Sequence, residues 1–84
     1  MKIYYFDWCG DFLEHIELRH SVQQYEIRQI FANNPKIRKD GKSRKYPGEY
    51  RYLAHGKTDG DRYLRVVFIY KKNGRALIIS AFDV

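Results

Sequence analysis

Cysteine and proline are scarce in this chain of 84 residues, which contains one Cys and two Pro. Since Cys9 has no second cysteine to pair with, the fold cannot depend on an intrachain disulfide, and a reducing cytoplasm is the expected compartment. No apolar run approaches the roughly 18 residues of a membrane-spanning helix, and the opening stretch MKIYYFDWCG is too polar for a signal peptide. We therefore expect a cytoplasmic protein that makes no contact with a membrane.

Residue patterns for cofactors and metals are missing as well. The six glycines form no nucleotide-binding loop. His15 and His20 are not at the spacing of about four residues that places two His ligands on one helical face, and no Cys or acidic cluster completes a site. Cys9 has no matched base that would make it a nucleophile. We therefore expect no cofactor and no metal, so any chemistry must come from side chains alone.

The chain is long enough for one hydrophobic core and too short for two, so residues 1–84 are predicted to form a single domain. Residues 2–8 are rich in aromatic and β-branched types and predict a strand. Apolar residues then recur at helical spacing, which predicts helices over 11–19 and 22–32. The predicted capping boxes of these helices are the pairs Asp11/Glu14 and Ser21/Gln24.

Strand patterns dominate the second half of the chain. Three runs of alternating or continuous apolar residues predict strands, and Asn73-Gly74 predicts a two-residue type I′ hairpin turn between the last two. The three runs are Glu49 to His55, Tyr63 to Tyr70 and Arg75 to Phe82. The predicted fold is α+β, with two short helices packed on one face of a mainly antiparallel sheet and the other face free to bind a partner.

Positive charge is concentrated in one segment. Lys and Arg number 16 against 10 Asp and Glu, a net charge of +6. Residues 1–35 carry 3 basic and 5 acidic side chains, whereas residues 36–52 carry 7 and 2. Cations for phosphates, interleaved with rings that stack on bases, suit single-stranded RNA. An acidic protein partner and a solvated loop are the alternatives. The candidate RNA-binding residues are Lys36, Arg38, Lys39, Lys42, Arg44, Lys45 and Tyr46.

Four short sequence patterns occur in an order that is informative. They are Trp8, His20 and Phe31 at fixed intervals, GEYRYLAHGKT at 48–58, GDRYLRVVF at 60–68 and IISA at 78–81. Each pattern alone is common. Together and in this order they resemble the BrnT family, which belongs to the RelE-like ribonuclease toxins of bacterial toxin–antitoxin pairs. The resemblance runs over nearly the whole chain.

The resemblance implies a RelE-like fold and an endoribonuclease that cleaves RNA without a metal and is held inactive by a cognate antitoxin. Contact with DNA is expected only through the antitoxin complex, because neither predicted helix has the basic face of a recognition helix. The chain departs from the family at Leu77 and Phe82, where relatives usually carry Arg on both sides of IISA. A relative that has lost catalysis and binds RNA or a protein is therefore the alternative.

The implied reaction is attack of a ribose 2′-OH on its own phosphate, which needs a base, a cation and an acid. The candidate catalytic residues are His20, Glu49, Arg51 and Arg62. Glu49 or His20 is the predicted base. Arg51, two residues after Glu49 and so on the same strand face, is the predicted phosphate clamp, whereas Tyr50 and Tyr52 face away. The alternatives are a surface charge pair for Glu49 and Arg51 and a helix-capping role for His20.

Overall fold

The first and last strands of the chain are neighbours in one five-stranded sheet. The computed structural model describes residues 2–42 and 48–84, with Lys42 described only in its backbone. Its elements are β1 (Tyr5–Trp8), α1 (Gly10–His20), α2 (Gln24–Ala32), β2 (Lys36–Lys42), β3 (Tyr50–Lys57), β4 (Tyr63–Lys71) and β5 (Arg75–Asp83), with a short 3₁₀ turn at Lys72–Gly74. The strands lie in the order β1-β5-β4-β3-β2. Within this part of the chain, no helix is long and apolar enough to cross a membrane.

Both helices pack on this sheet, which confirms the predicted α+β class. The hydrophobic core lies between them, where apolar residues from α1 and α2 meet alternate residues of the three central strands. The largest fully buried side chains are Ile16, Val22, Ile27, Ile30, Leu64, Val66, Phe68, Ile69 and Ile78. β4 lies between β3 and β5 and is the central strand of the sheet. Its nearly continuous run of apolar residues predicts this position.

Two features of the sheet differ from the sequence-based prediction. The basic segment Lys36–Lys42 is an edge strand paired antiparallel with β3, although only Ile37 among its seven residues is apolar. β1 pairs with β5 in parallel, from Tyr5 beside Arg75 to Trp8 beside Ile78, so the sheet is mixed. Charged residues on an edge strand protect its unpaired backbone from pairing with other chains. Because they replace apolar residues, the sequence of β2 lacks the alternating pattern from which a strand is predicted.

The predicted helix caps are wrong in position, although a capping box is present. α1 begins at Gly10, with Cys9 rather than Asp11 as its N-cap residue. Ser21 does not start α2: it ends α1, with a left-handed backbone at φ 53°. The capping box of α2 lies between Gln23 and Glu26, two residues later than predicted.

The turn between β4 and β5 depends on a glycine. Asn73 and Gly74 both have positive φ, as a type I′ turn requires, but Lys71 pairs with Arg75, so the loop has three residues instead of two. A Cβ built on Gly74 would lie 2.5 Å from Cδ2 of Tyr4. Gly74 therefore supplies both the left-handed backbone and the room for the Tyr4 ring.

We expect Gly74→Ala to lower the free energy of unfolding by about 2 kcal/mol, because an L side chain is strained at this φ and clashes with the ring. Urea denaturation followed by circular dichroism measures the effect. Gly60→Ala is the matched control, since a Cβ there lies 3.9 Å from its nearest neighbour, Oγ1 of Thr58, which is ordinary contact. Equal stability of the two variants would contradict the role assigned to Gly74.

Candidate nucleic-acid interface

The helices cover only one side of the sheet, and strand alternation decides which side chains reach the other side, which we call the open face. In β3, Tyr52 and Ala54 point to the helices: Ala54 is fully buried, and the Tyr52 ring lies 5.7 Å from that of Phe68. Arg51 and His55 alternate with them and so lie on the open face. Arg51 and Tyr52 therefore lie on opposite faces of the sheet, as the alternation of residues in the sequence predicts.

A row of polar and aromatic side chains crosses the open face at one end of the sheet. Lys36 pairs with His55, His55 with Arg65, and Arg65 with Phe82, so the row runs from β2 to β5. Arg38 lies two residues after Lys36 on the same face of β2, opposite Leu53. Because neighbouring strands are about 4.8 Å apart, these side chains share one short stretch of surface.

The basic cluster, which we define as Lys36, Arg38, His55 and Arg65, surrounds a cleft of about 400 Å³. Ile37 and Leu53 complete its lining. No acidic side chain from residues 2–42 or 48–84 lines this cleft, and Lys36, Arg38 and Arg65 form no ion pair with the described residues. The positive charge here is therefore available to an anionic ligand.

The opposite end of the open face is electrically different, because three of its described cations have carboxylate partners. Three ion pairs are distributed along this end of the sheet, from β2 to β1. They are Arg51 with Asp40 at 3.1 Å, Lys71 with Glu49 at 2.7 Å, and Arg75 with Asp7 at 3.3 Å. The uncompensated charge of the open face therefore lies in the basic cluster.

Glu49 and Arg51, the predicted base and clamp, both lie at this neutralised end. Glu49 accepts a hydrogen bond from the ammonium group of Lys71, and Arg51 donates one to Asp40. Each side chain thus binds a residue other than the one with which it was predicted to act. The interpretation of Glu49 and Arg51 as ordinary surface charges agrees with these contacts.

Arg62 lies at the other end of the sheet and serves as a structural clamp. Its guanidinium donates to both carboxylate oxygens of Asp83, at 2.6 and 2.9 Å, and to Glu26 at 3.1 Å. It also donates to the main-chain carbonyls of His20 and Ser21, at 3.0 and 2.8 Å. Hydrogen bonding to Asp83 raises the pKa of Arg62 further above its ordinary value and lowers that of Asp83. Four partner residues leave little of this cation free for a substrate.

The four predicted catalytic residues consequently do not form one site. Arg51 pairs with Ile69 near one end of β4, whereas Arg62 immediately precedes the other end, about 23 Å away at the rise of an extended strand. The main-chain carbonyl of His20 binds Arg62, and the His20 ring lies 5.9 Å from the ring of Phe82, which belongs to the row that contains Arg65.

The predicted RNA-binding residues divide between the two faces. Lys36 and Arg38 belong to the basic cluster, whereas Lys39 lies on the helix side with its Nζ 3.8 Å from the ring centre of Tyr50. The side chain of Lys42 and all of Arg44, Lys45 and Tyr46 lie outside the described residues.

His55 and Arg65 are the members of the basic cluster that the sequence-based prediction missed. His55 lies in β3 and Arg65 in β4, and in both strands the neighbouring residues face the core. The two-residue alternation that places Arg51 on the open face therefore places His55 and Arg65 there as well. What the sequence did not contain was the register that sets them side by side with Lys36.

Comparison with known proteins does not assign the chain to a family. No family model matches the sequence, and no curated protein matches it significantly. The geometry of the open face therefore carries the functional argument. It combines two guanidinium groups and an ammonium group, which are able to bind phosphate oxygens, with an imidazole, a side chain able to accept and donate protons.

Proposed function

We propose that this protein is a small metal-independent endoribonuclease with a RelE-like fold, acting in the cytoplasm as the toxin of a BrnT-like toxin–antitoxin pair. The observation that carries the proposal is the basic cluster: three cations without carboxylate partners among the described residues, on both sides of His55 in an open cleft. Such a surface attracts RNA through its phosphates, and the imidazole supplies the acid–base group that cleavage requires.

In the proposed reaction, the imidazole of His55 accepts the proton of a ribose 2′-OH while the 2′-oxygen attacks the adjacent phosphorus. Arg65, its cross-strand neighbour, stabilises the charge that develops on the phosphoryl oxygens. The bond from phosphorus to the 5′-oxygen breaks, and that oxygen takes a proton from water. The products are a 2′,3′-cyclic phosphate and a free 5′-hydroxyl.

His55 is favoured as the base over His20. His55 and Phe82 are two strand spacings apart, about 10 Å, and the His20 ring contacts Phe82 whereas His55 lies between Lys36 and Arg65. His55 lines the basic cleft with Arg65, and His20 does not, so His55 is the imidazole beside the phosphate-binding cations. Glu49 is disfavoured because its carboxylate already accepts a hydrogen bond from Lys71.

Arg65 also accounts for one departure from the BrnT pattern. Phe82 stands where relatives usually carry Arg, and Arg65 is its direct cross-strand partner on β4. A cation from the neighbouring strand thus lies beside the position at which the family pattern places one. The loss of Arg at 82 is therefore compatible with phosphate binding at this end of the sheet.

The proposed antitoxin would neutralise the toxin by covering the open face. A segment rich in Asp and Glu would complement the basic cluster and exclude RNA by direct competition. Contact with DNA would then come from the antitoxin in the complex, since the basic surface of this chain is already occupied.

The test is cleavage of an unstructured RNA by purified protein in the presence of EDTA. We expect products ending in 2′,3′-cyclic phosphate, and we expect His55→Asn to cleave at least about a hundredfold more slowly because the proton acceptor is gone. Binding of RNA by His55→Asn should change little, since the cations remain. Undiminished cleavage by this variant would exclude His55 as the base, and an effect of the same size in Glu49→Gln would return the chemistry to the other end of the sheet.

The second candidate is a binding module that does not cleave RNA. The ion pairs of Glu49 and Arg51 favour it, because they engage the base and clamp that the family resemblance implies. Intact RNA together with salt-sensitive binding by the wild-type protein would support this candidate and contradict the ribonuclease.

A further inference from the structure

A second cleft, at the end of the sheet opposite the basic cluster, is lined by three tyrosines from the helix side and by Glu49 and Lys71 from the open face. Tyr50, Tyr52 and Tyr70 border a space of about 430 Å³ at the end of β3 and β4, and we call it the tyrosine cleft. Tyr52 contacts the Tyr70 ring edge-on at 6.3 Å, and Tyr50 is 38% exposed. The volume lies within the range of small-ligand sites.

The charge around the tyrosine cleft is mainly positive. Lys39 places its ammonium group over the Tyr50 ring at 3.8 Å, and the exposed Lys72 lies on the rim. Glu49 is the acidic residue that lines the cleft in the part of the chain described, and Lys71 already binds it at 2.7 Å. Within the described residues Lys39 and Lys72 have no carboxylate partner, and flat rings beside such cations are suited to a nucleobase with its phosphate.

The edge strand β2 connects this cleft to the basic cluster. Arg38 and Lys39 are consecutive, so alternation sends Arg38 to the open face and Lys39 to the helix side. No further strand lies outside β2 in the described sheet. A flexible phosphate backbone can therefore pass around this edge with a cation on each side of the turn.

We propose that single-stranded RNA held by the basic cluster passes around the β2 edge and stacks one base in the tyrosine cleft. This inference rests on the proposed function, because it takes RNA binding at the basic cluster as its starting point. An acidic peptide would also meet the lysines. The tyrosine cleft, however, offers three flat rings on which a base can stack, whereas the side chains of Asp and Glu have no π face to use them.

The test compares fluorescent oligonucleotides of about 4 and 12 nucleotides, which span the site sizes typical of single-strand binders. We expect Tyr50→Leu to weaken binding of the longer RNA about tenfold and to leave the shorter RNA unaffected. Tyr25→Leu is the matched control, because Tyr25 is an exposed tyrosine on α2, away from both clefts. An RNA of 12 nucleotides with abasic sites should bind wild type and Tyr50→Leu equally, since a lost base removes the stacking but not the phosphates.

Different results separate the two proposals. Unchanged binding of the 12-nucleotide RNA by Tyr50→Leu, alongside weakened binding by Arg65→Gln, would overturn the tyrosine cleft and leave the basic cluster standing. A deficit of Tyr50→Leu that persists on the abasic RNA would also overturn it, because stacking would then not be the cause. Failure of wild-type protein to bind either RNA would overturn the proposed function itself. Thermal melting of each variant checks that the fold is intact.

Discussion

The double variant Arg38→Gln/Arg65→Gln should bind single-stranded RNA on the order of a hundredfold more weakly than wild type. Each substitution removes one guanidinium that has no carboxylate partner among the described residues, and a charged contact is worth roughly tenfold in affinity. The slope of log affinity against log salt should become shallower by about 1.4. The reason is that binding releases about 0.7 fewer counterions for each of the two phosphate contacts that are lost. Fluorescence anisotropy at several salt concentrations measures both quantities.

The matched control removes the same charge from the same face. Arg51→Gln/Arg75→Gln also deletes two guanidinium groups, but both are bound to Asp40 and Asp7 in the native protein. We expect this variant to keep most of its affinity, because the carboxylates already cancel much of the local charge. A larger loss in Arg51→Gln/Arg75→Gln than in Arg38→Gln/Arg65→Gln would place the RNA at the other end of the sheet, where the sequence predicted its clamp.

Arg62→Ala should lower the free energy of unfolding by about 2–3 kcal/mol, which corresponds to a fall of roughly 10–20 °C in Tm. The substitution leaves Glu26, Asp83 and the carbonyls of His20 and Ser21 without their shared donor. The two carbonyls lie at the end of α1, Glu26 lies in the first turn of α2, and Asp83 lies in β5. The variant therefore loosens the contact of both helices with the sheet. Lys57→Ala is the control, because it breaks an exposed ion pair with Asp61 and should not change Tm measurably.

The difference in the free energy of unfolding between wild type and Arg62→Ala should become smaller in acid. Arg62 holds the pKa of the Asp83 carboxyl below its ordinary value. A carboxyl whose pKa is lower in the folded state stabilises the fold above its unfolded pKa, and this contribution is lost as the pH falls through the folded pKa. The gap between wild type and Arg62→Ala should therefore be constant near neutral pH and narrow below about pH 4. A gap that widens in acid would show that Asp83 is not the main partner.

Local patterns in the sequence were sufficient to predict much of the fold. The helical spacing of apolar residues gave both helices, and the alternation in β3 separated Arg51 from Tyr50 and Tyr52. β2 escaped prediction because an exposed edge strand needs few apolar residues. The parallel partnership of β1 and β5 escaped it because no local signal reports which distant strands will pair.

The candidate site was harder to predict than the fold, since it depends on contacts between distant residues. Lys36, His55 and Arg65 come from three strands, and only the register of the sheet aligns them. The resemblance pointed to Glu49 and Arg51, but it could not show that Lys71 and Asp40 bind them. Ion pairs of this kind depend on side chains 11 and 22 residues apart in sequence.

The pairing of β1 with β5 also determines when this protein can assemble during synthesis. Tyr5 lies beside Arg75, and the second neighbour of β4 in the sheet is β5, so a growing chain cannot complete this sheet until β5 has left the ribosome. Contacts so far apart in sequence also make folding slower than in helical domains of this size. Until β5 has paired, the chain carries its cations without the complete sheet that holds them in place, so the proposed binding of RNA depends on contacts between the first and last strands of the sheet.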